Sequence, residues 1–237
     1  YDYSQLELRV MAHVSQDKHF LEVFRNGEDP HGDVARRLGI SRKGAKVVNF
    51  GVLYGMGPDK LANTINVSTK EADRIINVDY LKTYAGFSAW KVQTENFAKR
   101  YGFVKNIFGR IRRLPNATKG PLERTPKEFY GALRQSINTI VQGSGADMVK
   151  LAMIKMATRF KEEGIDAHLV LQVHDEVLVE ASIADMYRAQ EIVIDSMENA
   201  VKLSVPMLVD GKIITNWAEM KDDDMPSFPL RFDYSLY

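Results

Sequence analysis

The sequence has no cysteine, no long hydrophobic run and almost no net charge. Its 237 residues carry 32 Lys and Arg against 31 Asp and Glu, which leaves a formal net charge of +1. Without cysteine there is no disulfide framework and no thiolate metal site, so a metal ion would be bound by oxygen or imidazole ligands. No apolar stretch approaches the roughly 20 residues that span a bilayer, and no secretion leader opens the chain. We therefore expect an intracellular protein of unknown compartment that has no membrane partner.

Charge is unevenly distributed along the chain although the total is small. Basic residues crowd segments 36–46 and 99–113, whereas acidic residues crowd the C-terminal end, including residues 222–224. A polyanion such as a nucleic acid would find a local footprint on the basic segments. Each single Lys or Arg can equally lie on a solvated helix face, so the charge pattern alone leaves both interpretations open.

Two short acidic motifs lie near opposite ends of the chain, one at residues 1–7 (YDYSQLE) and one at residues 172–177 (QVHDEV). The second joins two β-rich runs, 167–173 and 177–180, and this predicts a hairpin with acidic residues at its tip. Magnesium prefers carboxylate, water and phosphate oxygens, and a two-metal site can be clamped by carboxylates from different strands. Asp2 and Asp175 meet this requirement, although an isolated aspartate is more often a surface turn residue.

A basic segment lies between the acidic motifs and is predicted to form a helix after a cap at Ser41, with Gly55 closing the run. Four side chains recur every four residues and would form one stripe roughly 18 Å long. The stripe consists of Arg42, Lys46, Phe50 and Tyr54. Cations followed by aromatic rings can bind the phosphates and the base or sugar of one nucleotide.

The alternative interpretation of this segment is an amphipathic helix whose aromatic side chains lie in the core. Gly44, Gly51 and Gly55 weaken that alternative. An interior glycine costs a helix about 1 kcal/mol and often marks close approach by another group.

The rest of the chain reads as mostly helical, with short extended pieces. We predict a helix around residues 20–24, a capped helix start at Ser68, two helices between Ala72 and Tyr101 with a break at Gly86, a short hairpin in 102–110, a boundary loop at 115–126, two helices at 126–139 and 145–163, a helix at 183–201 and a last strand at 205–209.

The three motifs, in this order, resemble those of the family A DNA polymerases, the bacterial DNA polymerase I type. Residues 2–9 are similar to the first polymerase motif, residues 42–55 to the nucleotide-binding finger helix and residues 174–176 to the third motif. The resemblance extends from Asp2 to about Lys221.

This resemblance implies an α+β fold in which an antiparallel palm sheet carries the carboxylates and a mostly helical fingers subdomain binds the nucleotide. The implied division is palm at residues 1–20 and 116–221, including the hairpin at 167–180, fingers at 21–115, and a C-terminal tail at 222–237. The thumb would be absent from this chain, because the chain opens one residue before Asp2. We expect an N-terminal polypeptide or segment that bears the thumb as a partner.

The resemblance also implies roles for individual residues. Asp2 and Asp175 would bind two Mg²⁺ ions, with Glu176 as a nearby carboxylate. The implied nucleotide-binding residues are Arg42, Lys46, Phe50, Tyr54, Gln5 and Glu7, of which Lys46 is also catalytic. Glu7 would close the space that a ribose 2′-hydroxyl needs. The residues implied to contact primer–template DNA are Arg134, Asn138, Gln142 and His174.

The sequence departs from the family pattern before the finger helix, where Gly32 to Ser41 is shorter than the usual connection and Gly44 replaces a better helix former. The grip on the nucleotide is therefore expected to differ in detail.

Our first hypothesis is a template-directed DNA polymerase that transfers deoxynucleotides (dNTPs) to a primer 3′-hydroxyl by a two-metal mechanism. One alternative is a single-subunit, phage-type RNA polymerase, against which Glu7 argues. Another alternative is a non-catalytic DNA-binding subunit.

Overall fold

The computed structural model describes residues 1–119 and 125–214. The predicted tail at 222–237 lies outside these ranges, as do residues 215–221 at the end of the family resemblance. The helices are α1 (Leu6–Ser15), α2 (Lys18–Arg25), α3 (Pro30–Leu38), α4 (Arg42–Leu53), α5 (Pro58–Ile65), α6 (Thr69–Arg74), α7 (Leu81–Thr83), α8 (Ala85–Tyr101), α9 (Pro115–Thr118), α10 (Pro126–Glu162) and α11 (Met186–Glu198), with a π-helical segment, Ile75–Tyr80, between α6 and α7. The strands are β1 (Asp2–Tyr3), β2 (Phe103–Lys105), β3 (Ile111–Arg113), β4 (Ala167–Val173), β5 (Glu176–Ala181) and β6 (Val209–Asp210).

The chain divides into two compact units, which we describe separately. Unit 1 contains Tyr1–Leu6, Ala146–Lys202 and, within the described range, residues 207–214. Unit 2 contains Glu7–Gly145 and Leu203–Pro206. The predicted palm and fingers boundaries remain a prediction. No helix in the described ranges combines the length and the apolar character needed to cross a membrane.

Unit 1 is built on an antiparallel four-stranded sheet in the order β4-β5-β1-β6. The predicted acidic hairpin is confirmed, since β4 pairs with β5 up to Val173 opposite Glu176. The predicted last strand exists but is displaced: it is β6 (Val209–Asp210), with Val209 opposite Tyr3, rather than residues 205–209. Pro206 has no N–H to donate to a strand, which explains why the ladder does not extend through it.

Helix α11 packs by one apolar face in unit 1 and is shorter at both ends than the predicted helix at 183–201. Its buried side chains include Ile192, Val193 and Met197. The hydroxyl of Tyr3, a buried residue of β1, donates a hydrogen bond of 2.7 Å to the carbonyl of Met197. This bond ties the central strand to the helix.

Helix α10 is one continuous helix of 37 residues, so the predicted break between residues 139 and 145 is wrong. The two glycines in this stretch are tolerated because other groups approach the helix there. The carbonyl of Gly143 accepts a hydrogen bond of 3.1 Å from the Asn106 side chain, and the hydroxyl of Ser144 accepts one of 3.2 Å from the Ile107 N–H. These tertiary contacts offset the helix penalty of glycine.

The predicted break at Gly86 is also displaced, because the helix path is interrupted at Tyr84 (φ −103°, ψ 62°) and Gly86 lies in the first turn of α8. A Cβ on Gly86 would lie 2.7 Å from the Cα of Asp17. The buried Asp17 carboxylate accepts hydrogen bonds from the N–H groups of Phe20, Gly86 and Phe87. One aspartate therefore caps both α2 and α8, and glycine permits its close approach.

The short hairpin of unit 2 exists, but its second strand is β3 (Ile111–Arg113) rather than the predicted 108–110. Residues 106–109 form the turn, which needs Gly109 at φ +82°. Val104 of the hairpin packs into an apolar cluster. The cluster consists of Ala98, Val104, Leu114, Ala117, Phe129, Ala132 and Leu133.

Candidate active site

Asp2 lies at the centre of a group of carboxylates on the sheet of unit 1. It is paired with Glu176 of β5 on one side and with Asp210 of β6 on the other. Directly opposite residues of antiparallel strands point to the same face, so these three side chains share one face of the sheet. Asp175 precedes Glu176 in the hairpin loop, and its carbonyl accepts a hydrogen bond of 3.4 Å from the N–H of Tyr3. The acidic motifs from opposite ends of the chain therefore converge.

The clustering changes the acidity of Asp2. Desolvation by the surrounding sheet, together with repulsion from the carboxylates of Asp175 and Glu176, raises the pKa of Asp2 to about 6. Asp210 adds to this repulsion. A bound cation would relieve such repulsion, because an opposite charge favours the ionised carboxylate. Sequence reasoning missed Asp210, since no motif marks it and only the pairing of β6 with β1 brings it beside Asp2.

The donor set at this cluster consists of carboxylate oxygens, which suit Mg²⁺. Within residues 1–119 and 125–214, no three His, Asp or Glu side chains are close enough together to hold a metal ion by themselves. Mg²⁺ at sites that act on phosphates is usually held by one or two carboxylates together with water and phosphate oxygens. Asp2 and Asp175 fit this incomplete kind of site.

Two residues of the unit 1 motifs have left-handed backbone conformations. His174, exposed at the hairpin tip, has φ +55°, and Gln5 has φ +58°. The carbonyl of His174 accepts a hydrogen bond from the Gln172 side chain, while the buried Oε1 of Gln5 has no hydrogen-bond partner among the described residues. Non-glycine residues rarely adopt this conformation, and such strain is concentrated at functional sites.

In unit 2 the predicted basic helix is present as α4, and the hydroxyl of Ser41 accepts a hydrogen bond of 3.1 Å from the Gly44 N–H. Arg42 and Lys46 are exposed, and Phe50 and Tyr54 are half-buried. The rings of the two aromatic residues stack at 6.2 Å with an angle of 15° between their planes.

The opposite face of α4 supplies the core contacts. Its buried residues include Ala45, Val48 and Val52. The alternative in which the stripe aromatics form the core is therefore wrong.

The glycines of this segment are explained by contacts with protein groups. A Cβ on Gly51 would lie 3.2 Å from the sulfur of Met56. At Gly55, which has φ +68°, a Cβ would lie 2.6 Å from Cγ of Arg134. The end of the basic helix is thus in direct contact with α10.

Arg42 forms an ion pair with Asp29 that sequence reasoning missed. Its Nε and Nη2 donate hydrogen bonds of 2.6 and 3.2 Å to the carboxylate of Asp29. Asp29 also caps α3 by accepting from the N–H groups of His31 and Gly32. Burial alone would raise the pKa of Asp29, but the bond to Arg42 and these backbone bonds outweigh it and lower that pKa.

A buried polar network lies beneath the stripe. The side chain of Asn49 accepts a hydrogen bond of 2.8 Å from the Tyr80 hydroxyl and donates one of 2.9 Å to Nδ1 of His31. The His31 ring lies 5.7 Å from the Phe50 ring. Burial lowers the pKa of His31. The Asp29 carboxylate opposes this effect, whereas the neighbouring Arg42 and Lys46 lower that pKa further. The sequence signal that could have indicated this network is the asparagine at position 49, which lies on the otherwise apolar face of the helix.

The residues predicted to face DNA from α10 form a second stripe. Arg134, Asn138 and Gln142 are four residues apart on the continuous helix and so lie on one face. Arg134 and Gln142 are exposed, whereas the Oδ1 atom of Asn138 is buried without a hydrogen-bond partner among the described residues. Glu7 lies in the first turn of α1 and is half-buried.

The chain is a mixed α+β protein whose antiparallel sheet carries clustered carboxylates and whose second unit presents an exposed basic helix. The sequence profile of DNA polymerase family A matches residues 1–219. The chain belongs to this family.

Similar proteins include DNA polymerase I of Caldicellulosiruptor bescii, 39% identical over 93% of this chain and 26% of that protein. The thermostable DNA polymerase I of Thermus filiformis is 38% identical over 94% of this chain and 27% of that protein. Among solved structures, the POL domain of Pol1 from M. smegmatis, in complex with DNA primer-template and dNTP, is 33% identical, with a TM-score of 0.80 over 86% of this chain and 37% of that chain. The chain thus spans about a quarter of the length of these curated relatives.

Proposed function

We propose that this chain carries the carboxylates and the nucleotide-binding helix of a template-directed DNA polymerase. The reaction joins a primer 3′-hydroxyl to an incoming dNTP. Because its curated relatives are about four times as long as the matched region, we further propose that activity needs a thumb-bearing segment in addition to residues 1–237. The observation that carries the proposal is the convergence of Asp2, Asp175 and Glu176, which come from opposite ends of the sequence.

In the proposed reaction, the 3′-hydroxyl oxygen forms a bond to the α-phosphorus as the bond to pyrophosphate breaks, and the hydroxyl proton is released. Bound Mg²⁺ would polarise the phosphate and lower the pKa of the attacking hydroxyl. Asp2 and Asp175 would hold the metal ions, and Glu176 would add negative charge beside them. The repulsion that raises the pKa of Asp2 supports this assignment, because a cation would offset it.

The α4 stripe is proposed to bind the nucleotide. Arg42 and Lys46 would bind the triphosphate, Lys46 as a compact charge close to the reacting phosphate. Phe50 would stack near the base and sugar, and Tyr54 would lie where the templating base enters. Exposure of the two cations and half-burial of the two rings support these roles.

Three further residues are proposed to select the substrate and its pairing. Glu7, with Gln5 nearby in sequence, would exclude the ribose 2′-hydroxyl. Asn138 would test base-pair geometry in the minor groove, where the acceptors of A·T and T·A pairs are alike. The Nδ2 group of Asn138 would donate to these acceptors, and its buried Oδ1, which has no partner among the described residues, would be able to accept from the guanine amino group in the same groove. The remaining proposed DNA contacts are Arg134, Gln142 and His174.

A primer-extension assay tests this function in the natural protein, together with any further segment or partner chain that it has in its source organism. With Mg²⁺ and one matched dNTP, we expect the wild type to add a nucleotide and Asp175→Asn to lose at least about 100-fold in rate, as expected when a preorganised charge is removed. Primer–template binding should be retained. Glu180→Gln, which changes an exposed acid on the adjoining strand β5, is the matched control and should remain active.

The same assay separates the alternatives. Equal use of ribonucleotides and deoxynucleotides would favour the RNA polymerase reading and remove the role of Glu7. DNA binding without incorporation in the wild type would favour a non-catalytic subunit. For Glu7→Ala, we expect ribonucleotide incorporation to rise relative to that of deoxynucleotides.

A further inference from the structure

All charged residues in segment 96–119 of unit 2 are basic. This segment contains no Asp or Glu, although the whole chain is nearly balanced in charge. Its cations are Lys99, Arg100, Lys105, Arg110, Arg112, Arg113 and Lys119. Such a concentration of one sign attracts a polyanion.

Aromatic rings lie on the surface among these cations. The rings of Phe97 and Tyr101, one turn apart on α8, are 4.6 Å apart, and the ring of Phe103 from β2 lies 5.4 Å from that of Phe97. Phe97 is 40% exposed and Tyr101 is 51% exposed. Large aromatic side chains clustered at the surface are unusual unless they meet a partner.

On one face of the hairpin, each apolar or aromatic side chain lies opposite a basic one. Phe103 pairs with Arg113, and Lys105 pairs with Ile111. Side chains directly opposite each other share a face, so these four residues lie together. The intervening Val104 points to the other face, where it is buried in the apolar cluster. The exposure of the aromatic and basic face is therefore fixed by the packing behind it.

The hairpin is held firmly in unit 2. The side-chain oxygen of Asn106 accepts hydrogen bonds of 3.0 and 2.9 Å from the N–H groups of Phe108 and Arg110, which closes the turn. Its side-chain nitrogen donates to Gly143 of α10, and the Ile107 N–H donates to Ser144. A surface anchored at both ends of its turn is preorganised for binding.

The cations of this surface have few partners of opposite charge. Among the described residues, no carboxylate pairs with the group consisting of Lys99, Arg100, Lys105, Arg112 and Arg113. Instead, Arg100 lies 5.3 Å from the Tyr101 ring centre and Lys105 lies 5.9 Å from that of Phe103. In unit 1, by contrast, Arg159 and Arg188 both pair with Glu163. The unpaired cations remain available for phosphates.

We propose that this aromatic and basic surface, formed by Phe97, Tyr101, Phe103, Lys105 and Arg113 with their basic neighbours, binds a single strand of DNA. Exposed rings stack on unpaired bases and cations contact the backbone, which is the common mode of single-strand binding. A duplex would hide its base faces from the rings. Identification of the strand as unpaired template rests on the proposed function, whereas strand binding itself does not.

Fluorescence anisotropy with a labelled oligothymidylate of about 20 nucleotides tests the stacking, since single-strand sites cover several nucleotides. For Tyr101→Ala in the full chain, we expect affinity to fall about 5- to 150-fold, the range that corresponds to loss of one base–aromatic stack. Tyr101→Phe should bind like the wild type. Val92→Ala removes another exposed apolar side chain of α8, 52% exposed, and should have no effect.

A salt titration tests the phosphate contacts. Arg113→Gln should lower affinity at low salt and make the slope of log affinity against log salt shallower by about 0.7, the value for one phosphate contact on a single strand. Lys60→Gln, an exposed cation on α5, is the control and should leave the slope unchanged.

Four outcomes would overturn the proposal. The wild type does not bind the oligothymidylate, or Tyr101→Ala binds it as tightly as the wild type does. The other two are that Tyr101→Ala loses as much affinity for heparin, which has no bases, or that the chain self-associates through these rings. Circular dichroism establishes that each variant is folded. Asp175→Asn should bind the oligothymidylate normally. Normal strand binding by the wild type without nucleotide incorporation would reject the polymerase proposal and leave this one standing.

Discussion

The side chain of Arg134 occupies the space beside Gly55, at the end of the basic helix, that any larger side chain at position 55 would need. A Cβ there would lie 2.6 Å from Cγ and 2.7 Å from Cδ of Arg134, and the residue has φ +68°. We expect Gly55→Ala to lower the free energy of unfolding by about 2 kcal/mol or more, since left-handed backbone and overpacking each cost roughly 1 kcal/mol or more. Chemical denaturation measures this change.

Gly57→Ala is the matched control for that substitution. Gly57 lies two residues away with φ −79°, and no atom lies within 4 Å of a Cβ built there. Its replacement should change stability by less than about 1 kcal/mol. Equal effects at both positions would remove the special role of the Arg134 contact.

Because of the raised pKa of Asp2, the stability of the metal-free protein should depend on pH. The pKa of Asp2 is raised from 3.8 to about 6, so the folded state holds the proton more tightly than the unfolded state. Stability from this residue is present below its ordinary pKa and is lost as the pH rises through about 6. Asp2→Asn should stabilise the metal-free protein at neutral pH by about 1 kcal/mol, after allowance for solvent screening. Thermal denaturation without metal, from pH 4 to 8, should show this advantage disappear towards acid. An advantage that grew towards acid would contradict the origin assigned to it.

In the proposed site, Asp29 would compete with the triphosphate for Arg42. Because the Arg42 guanidinium already donates two hydrogen bonds to Asp29, removal of the carboxylate charge should strengthen anion binding at this cation. We expect Asp29→Asn to bind a dNTP about threefold more tightly, from loss of repulsion across partly screened distances. Asparagine retains the capping function, so stability should change little. Glu28→Gln, which removes an exposed acid paired with Arg36, is the control. Weaker binding in Asp29→Asn would show that the carboxylate orients Arg42 instead.

The buried network under the basic helix predicts a graded loss of stability. Asn49→Ala leaves the Tyr80 hydroxyl and Nδ1 of His31 without their partner, and we expect a loss of about 3 kcal/mol. Tyr80→Phe removes one hydroxyl and should cost about 1 kcal/mol. Asn77→Ala, an exposed asparagine bonded to Asp73, should be nearly neutral. Denaturant midpoints measure the series, and the reverse order would be inconsistent with the network.

Local chemistry was readable from the sequence where neighbouring residues determine it. Ser41 and Ser68 cap helices as predicted, because a hydroxyl needs only the N–H groups of the next turn. The acidic hairpin followed from two β-rich runs close in sequence. The break predicted within α10 was wrong because Asn106, 37 residues away, provides a contact that compensates for glycine.

The residues of the proposed site followed from the sequence in part, for the same reason. Motif residues such as Asp175 and Lys46 could be selected from their local pattern, whereas Asp210 and Asp29 could not. Asp210 reaches Asp2 only through strand pairing, and Asp29 reaches Arg42 only through the packing of α3 on α4. A carboxylate that tertiary structure brings into a site is not marked by any pattern in its neighbouring sequence.

Binding of a dNTP as a function of Mg²⁺ concentration tests the central proposal most directly, because it asks whether the carboxylate cluster and the basic helix act on the same molecule. We expect Mg²⁺ to tighten binding in the wild type, and Asp175→Asn to lose that tightening while retaining Mg²⁺-independent binding. Lys46→Ala should instead weaken binding at every Mg²⁺ concentration. Undiminished tightening by Mg²⁺ in both Asp2→Asn and Asp175→Asn would contradict the account.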